Sequence, residues 1–498
     1  MATSELTEVE RKRAGESRDG GASSRGGRFP LKTVLAIATT AAALAGWRVA
    51  VDHGKGFDTR IVAQAFQLRW PARPAPVVPA RPAIAAASHS TGPISPVFAD
   101  DAGNLDPFYA TLWELEQGKG GVATVLHYGD SPTTADLITG DVRAQLQKRF
   151  GDAGRGYTLI AKPWAWYGHR GVEMSDHGWS MRTGVGLIRE GVYGLGGAAF
   201  EGKPGAWSKF KLTDSEQSAV EVEFLAKSGG GTFAVEADGE QVAGQSTGAD
   251  AAETRSLHVP LPIGTKSVTI RPTAGSVTLF GADFRRGSTG VLYDSLGLNG
   301  ATTSVLARVM EPNLWKQELD RAAPVLVIIN YGSNESSFGS FVHKQYGSEL
   351  RLAILRVRQL APNASILVMS PMDRGERRGM DDIETMSTIP EIVGIQRQVA
   401  AEMHCAFFDT YAAMGGEGTM ARWYTASPRL VTADFLHPTP QGASLVAGLF
   451  MDQLSLGYNR WKRQHGIALP AAAAAKAEAG SGTARPARTG RRGGKKGQ

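Results

Sequence analysis

Val122-Ala123-Thr124-Val125-Leu126-His127-Tyr128-Gly129-Asp130-Ser131-Pro132 is the stretch whose reading decides the fold. A short apolar run stops at a glycine, an acid and a serine. A run of that length closed by Gly reads as a buried strand ending in a tight turn. A serine just past a central strand stands at the rim of an open α/β sheet, where such sheets bind ligands. The residues that follow (Thr133, Thr134, Asp136, Leu137, then Val142, Leu146 and Phe150) keep helical spacing. Ser131 therefore sits on a strand-to-helix turn, a place suited to a nucleophile. Pro132 favours an extended Ser131 and a helix beginning at the proline itself.

Further along, apolar runs without alternation recur between helical stretches. Val325–Asn330 ends at Tyr331-Gly332-Ser333-Asn334-Glu335, Ile366–Met369 ends at Ser370-Pro371-Met372-Asp373, and Cys405–Asp409 follows a helix over 391–403. A turn over 293–300 leads into a helix from Ala301, and a last helix runs over 441–454. Unalternating strands separated by helices imply a parallel sheet covered on both faces. Between the serine helix and these elements the pattern changes. Val220–Phe224, Thr232–Ala237, Leu257–Leu261, Val268–Arg271 and Val277–Phe280 alternate, with Gly229-Gly230-Gly231 and Asp238-Gly239 as hairpin signals. This predicts a β-sandwich, jelly-roll-like, inserted over 191–285, a kind of module that often binds carbohydrate. Trp164, Trp166, Tyr167 and Trp179 cluster among glycines just before it. They either line a sugar-binding surface or pack the seam between two domains.

The outer parts of the 498-residue chain have a different composition. Residues 1–32 are polar and basic and read as a disordered cytoplasmic leader. Residues 33–51 are apolar, with Arg48 the one charged residue among them, and the basic flank makes them a signal anchor or a signal peptide. A Pro/Ala-rich linker follows over 52–104. The α/β domain is then expected over 105–190 and 286–469, and residues 470–498 form a disordered basic tail. That tail carries seven Lys and Arg against Glu478, the whole of the formal excess of +6. The body is near neutral, and its charge gives no argument for nucleic-acid binding. Cys405 is the single cysteine, so no intrachain disulfide forms.

A serine nucleophile needs a base, an orienter for that base and donors for a developing oxyanion. His437 stands just before the last helix, and Asp434 lies three residues before it, so both reach one side of a turn. Asp434 in that place fixes the imidazole tautomer. Asn334 follows an apolar strand and aims a side-chain N–H at the same rim. Gly300, in Leu298-Asn299-Gly300-Ala301-Thr302, presents a bare backbone N–H.

Gly129-Asp130-Ser131, Gly300-Ala301-Thr302, Gly332-Ser333-Asn334-Glu335 and Asp434-Phe435-Leu436-His437 occur in the order of the four blocks of the SGNH (GDSL-like) hydrolases, which the chain resembles over 121–151 and 292–454. The resemblance implies a three-layer α/β/α fold and hydrolysis of an acyl ester through an acyl-serine. Ser131 is then the nucleophile, His437 the base and Asp434 its orienter. The N–H groups of Ser131 and Gly300 and the side chain of Asn334 form the oxyanion hole. The third block usually ends in Asp; here it is Glu335, to which no role is assigned. Pro132 lacks the N–H that an α/β-hydrolase elbow uses as a donor, whereas the SGNH arrangement uses the serine's own. The β insert and the Tyr331–Glu335 block look like the peptidoglycan O-acetylesterase branch. The expectation is thus an esterase anchored in the inner membrane, its catalytic domain in the periplasm or extracytoplasmic space (or secreted, if the signal is cleaved), acting on an acetylated polysaccharide without cofactor, metal or nucleic acid. An O-acetyltransferase and a non-catalytic glycan-binding protein on the same scaffold are the alternatives.

Overall fold

The computed structural model of the chain describes residues 97–100, 102–186, 191–379 and 382–469. The leader at 1–32, the apolar segment at 33–51, nearly all of the linker and the basic tail lie outside the described residues. Among the described residues no helix is long and apolar enough to cross a membrane.

The central sheet has six strands: β1 (Phe98–Ala99), β2 (Gly121–Gly129), β3 (Thr289–Gly297), β4 (Leu326–Asn330), β5 (Ser365–Met369) and β6 (Ala406–Phe408), in the order β1-β6-β5-β4-β2-β3. β3, β2, β4, β5 and β6 pair in parallel, and the short β1 runs antiparallel on the edge. Six longer helices cover it: α1 (Asp106–Glu116), α2 (Ile138–Phe150), α3 (Pro312–Ala322), α4 (Gly347–Leu360), α5 (Thr388–Glu402) and α6 (Pro440–Gln464).

The strand residues divide alternately between two apolar cores, which is why their sequence shows no polar face. Leu126, Tyr128, Val327, Ile329, Ile366 and Val368 pack on one side with Trp315 of α3, Leu350 and Ile354 of α4 and Val393 of α5. Val125, Ile328, Leu367 and Phe408 pack on the other with Phe108 of α1, Leu146 of α2 and Val446 and Phe450 of α6. This is the three-layer α/β/α arrangement. α6 extends ten residues past the expected end at Leu454, because Tyr458 and Trp461 carry its buried stripe onward and stack on each other 6.0 Å apart. The helix expected from Ala301 is a short helical turn, Val305–Val309, broken before Pro312 begins α3.

The chain leaves this layer after α2 and returns at β3, and hydrogen bonds between Gly151, Ala153 and Val291 hold the two crossings together. Between them two antiparallel sheets form the β-sandwich. One has the order 240–246, 232–237, 267–274, 207–212, 172–177; the other has 253–260, 219–226, 277–285, 198–202, 180–183, with 154–159 also pairing 277–285. Phe210 and Phe284, and Phe224 and Phe233, meet edge-on between them. Asp238 and Gly239 both take positive φ (49° and 94°), the two-residue hairpin turn their sequence signals. The sandwich reaches forward to Gly154 rather than starting at 191. Val172–His177 and Ser180–Thr183 are polar, largely exposed and interrupted by Gly178, so they carry little strand signal of their own and are ordered by their partners.

Candidate active site

Ser131 takes its place from the end of β2. Asp130 is extended (φ −99°, ψ −151°), and its carbonyl accepts the N–H groups of Thr133 (3.0 Å) and Thr134 (3.2 Å), which starts the helical turn Ser131–Thr134. The expected extended residue was Ser131; the structure makes it Asp130, with Ser131 the first helical residue. The restriction before proline is a steric bias, and the two bonds to the Asp130 carbonyl outweigh it. The helix then breaks at Asp136 (φ 52°), whose carboxylate is held by the buried guanidinium of Arg143 at 2.5 Å and by the Arg170 N–H at 2.8 Å. α2 is therefore a separate helix from the serine turn. The same loop at 164–170 lies against the serine turn, with Gly168 N–H donating to the Thr134 carbonyl at 3.3 Å.

Gly129, Gly297 and Asn330 lie side by side in register at the C-terminal ends of β2, β3 and β4. Ser131, Gly300 and Asn334 come just after these three neighbouring ends. Gly300 occupies the third position of a turn closed by Ala301 N–H to the Leu298 carbonyl (3.0 Å), and its φ of 76° is what that turn requires. Asn334 donates one side-chain N–H to the Ala301 carbonyl at 2.8 Å, so the loops after β3 and β4 are tied to each other.

His437 and Asp434 sit on the loop before α6. The loop is closed by Thr432 N–H to the His437 carbonyl (2.9 Å), and Phe435 adopts a left-handed backbone (φ 58°) while its buried ring meets Tyr424 edge-on. His437 Nδ1 lies 2.7 Å from Asp434 Oδ2, and His437 Nε2 lies 2.7 Å from Ser131 Oγ. Burial raises the Asp434 carboxyl, but bonds from the Thr432 hydroxyl, the His437 ring and the N–H groups of His437 and Leu436 outweigh it and hold the group well below the usual carboxylate range. An ionised Asp434 accepts from Nδ1–H, which leaves the Nε2 lone pair to accept the Ser131 hydroxyl proton. The three side chains expected to act together are thus hydrogen-bonded in series.

Glu335, left without a role by the sequence reading, is buried under the site. Its Oε1 accepts both the N–H and the hydroxyl of Thr303 at 2.8 Å. The Asp130 carboxyl accepts from the side chain and the N–H of Ser333; burial and then the charge of Glu335 push it up to about 7. Each carboxyl keeps one buried oxygen without a partner among the described residues. Asp130 thereby links the Ser131 turn to the Asn334 loop, and Glu335 links the Asn334 loop to the loop of Gly300. Arg374 adds a third tie through Nη1 to the Ser333 carbonyl (2.7 Å) and the hydroxyls of Ser336 and Ser337 (2.9 Å each). The acidic residue next to each motif residue was the available signal for Asp130 and Glu335; nothing local pointed to Arg374.

The aromatic cluster is mainly packing. Tyr167 is buried with its hydroxyl on the Leu159 N–H at 2.9 Å, and Trp179 donates to the Trp207 carbonyl at 3.0 Å. Trp164 is partly buried against the core, and Trp166 is the exposed one.

A doubly covered parallel sheet with serine, imidazole and carboxylate in hydrogen-bonded series at its C-terminal edge defines the class: an α/β/α serine hydrolase. The GDSL-like lipase/acylhydrolase family matches residues 265–445. In that part the chain is similar to the SGNH (GDSL-like) hydrolases. The match begins within the sandwich, past Ser131. A solved structure of a peptidoglycan O-acetylesterase shares the fold with a TM-score of 0.63 at 22% identity, covering 73% of this chain and 100% of that one. A phospholipase A1 from Streptomyces albidoflavus (TM-score 0.25, 19% identity, 32% of this chain and 80% of that one) and an acetyl xylan esterase (TM-score 0.25, 18% identity, 33% and 80%) overlap in part. No curated protein matches the chain in sequence.

Proposed function

We propose that this protein is a serine esterase that removes O-acetyl groups from a cell-envelope polysaccharide, with peptidoglycan as the substrate. The observation that carries the reading is the series Ser131 Oγ, His437 Nε2, His437 Nδ1, Asp434 Oδ2, with both contacts at 2.7 Å. In this reading Ser131 Oγ attacks the acetyl carbonyl while its proton passes to His437 Nε2. The N–H groups of Ser131 and Gly300 and the free side-chain N–H of Asn334 take up the oxyanion. The sugar hydroxyl leaves with the proton from His437, and water, deprotonated by the same imidazole, releases acetate from the acyl-serine. The shared architecture with a peptidoglycan O-acetylesterase supports the choice of polymer. The proposal includes export, with residues 33–51 as the anchor or signal.

The test is acetate release from an aryl acetate and from O-acetylated peptidoglycan by the full chain. Ser131→Ala is expected to abolish both while keeping the melting transition. Unchanged turnover by that variant would overturn the assignment of Ser131, and turnover of the aryl ester without acetate release from the glycan would overturn the substrate.

A further inference from the structure

A cavity of about 650 Å³ lies where the sandwich meets the α/β layer, between the strands of Glu221, Glu223 and Asp283 and the catalytic-layer residues Asp294 and Arg321. Its walls are strongly charged and deeply buried. Glu223 is 7% exposed, Asp283 4% and Asp294 2%, and Glu318 on α3, against Glu223, is fully buried.

The cations present do not satisfy these groups. Arg285 pairs with Asp283 Oδ2 at 2.5 Å, and Arg321 pairs with Glu318 Oε1 at 2.7 Å while also donating to Thr254. Glu221 is held by the Ser256 hydroxyl (2.6 Å) and the exposed His258 ring (2.5 Å), and Asp294 Oδ1 accepts the Tyr157 N–H (2.9 Å). Four carboxyl groups of the wall, with Glu318 behind Glu223, thus face two guanidiniums. Asp283 Oδ1 is a buried acceptor without a partner among the described residues, and the carboxyls of Glu223 and Glu318 have only each other, through a shared proton, at Oε2, against one unpartnered donor, Arg285 Nε. An unpaired buried acceptor costs on the order of 1–3 kcal/mol, and a buried charge more. The wall is short of N–H donors and of positive charge.

We propose that this cavity binds an organic cation, an amine carrying one or two ammonium groups. An ammonium brings three donors and a positive charge to a site that lacks both. Among the described residues no grouping of His, Cys, Asp and Glu is disposed to hold a metal ion, and the volume is that of a small-molecule site. Burial pushes Glu223 well above the ordinary carboxyl range, with the neighbouring Glu318 charge next, and pushes Asp294 up to about 7. Without the amine, protons occupy the site; the amine takes their place. The site stands apart from Ser131 chemistry and does not depend on the esterase reading.

The test is calorimetric titration of the full chain near neutral pH with 1,4-diaminobutane, and with 1,4-butanediol as the neutral counterpart. The diamine is expected to bind saturably with proton release that grows as the pH is lowered, and the diol not at all. Glu223→Gln and Asp283→Asn are expected to weaken diamine binding about tenfold or more, as loss of a charge-assisted bond requires, with aryl acetate turnover unchanged. Ser288→Trp, at the exposed rim, leaves every buried charge in place and is expected to block binding in a chain that folds normally. Absence of diamine binding, equal binding of diol and diamine, or undiminished binding in the folded Ser288→Trp variant would each overturn the proposal.

Discussion

Gly297 lies in register with Gly129 across the parallel pair of β3 and β2, and a methyl group on it would stand 2.4 Å from the Thr134 nitrogen and 2.6 Å from the Thr133 carbonyl carbon. The obstruction is backbone, so it cannot turn aside. The serine turn rests directly on the end of the neighbouring strand because neither strand has a side chain there. Gly297→Ala is expected to cost about 1–3 kcal/mol of stability and to lower esterase turnover by well over the fraction of protein unfolded, since the turn that moves is the one carrying Ser131. Melting curves and aryl acetate kinetics on one preparation separate the two effects. Full turnover by folded Gly297→Ala would show that the turn has room to shift without consequence.

The Asp434 carboxylate holds the His437 tautomer while four groups donate to it: the Thr432 hydroxyl, the Leu436 and His437 N–H groups and the imidazole Nδ1. In Asp434→Asn the amide can keep the backbone bonds through its oxygen but presents N–H to Nδ1. The imidazole is then driven toward the tautomer with hydrogen on Nε2, which cannot accept from Ser131. The expected loss in kcat is about 10²–10⁴, with KM little changed. A Thr432→Val variant, which removes one donor and leaves the tautomer alone, is expected to fall far less. Similar losses in both would mean that Asp434 acts mainly by holding the loop.

The buried carboxyl of Asp130 makes stability depend on pH in a definite direction. Its value rises from 3.8 to about 7 on folding, through burial and then the charge of Glu335, so the folded chain binds the proton more tightly. The contribution is fully present below the unfolded value and is lost as pH rises through about 7; its size is on the order of 4 kcal/mol. His127 has the opposite dependence. Its ring bonds Tyr293 and Asn330 in the core, and burial lowers it from 6.5 to about 4, so stability is lost as pH falls from 6.5 through 4. Chemical denaturation between pH 5 and 8 should therefore show Asp130→Asn gaining on the wild type as pH rises. A difference that stays constant over that range would show that Asp130 holds no proton in the folded chain.

The parts of this fold that were legible in the sequence are those written in local pattern. β2 and the strands after it were readable because burial on two faces leaves no polar alternation, and Ser131 and Asn334 follow, and His437 precedes, an element that its own residues specify. What was not legible depends on partners far along the chain. Glu335 looked like a departure from a motif because its partner, Thr303, lies 32 residues away. The polar strands Val172–His177 and Ser180–Thr183 acquire strand character from Trp207–Leu212 and Ala198–Gly202. Phe435 gives no sign of its left-handed backbone, which follows from the closure of the 432–437 loop and the packing of its ring on Tyr424.

Arg374 supplies the last test, because it touches the Asn334 loop without belonging to any motif. Its guanidinium spans the Ser333 carbonyl and the hydroxyls of Ser336 and Ser337, on both sides of Asn334 and Glu335. Burial lowers its pKa, while the charges of Asp130, Glu376 and Asp434 act to raise it. Removing an oxyanion donor costs about 10²–10³ in kcat, which is the loss expected for Asn334→Ala. Arg374→Met keeps the apolar stem and loses the three bonds, so the loop drifts and kcat is expected to fall about tenfold with KM nearly constant. If Arg374 acts through Asn334, the double variant should be no slower than Asn334→Ala alone, because the donor it positions is already gone. Multiplied losses in the double variant would instead place the effect of Arg374 elsewhere, on the Asp130 and Asp434 charges that surround it.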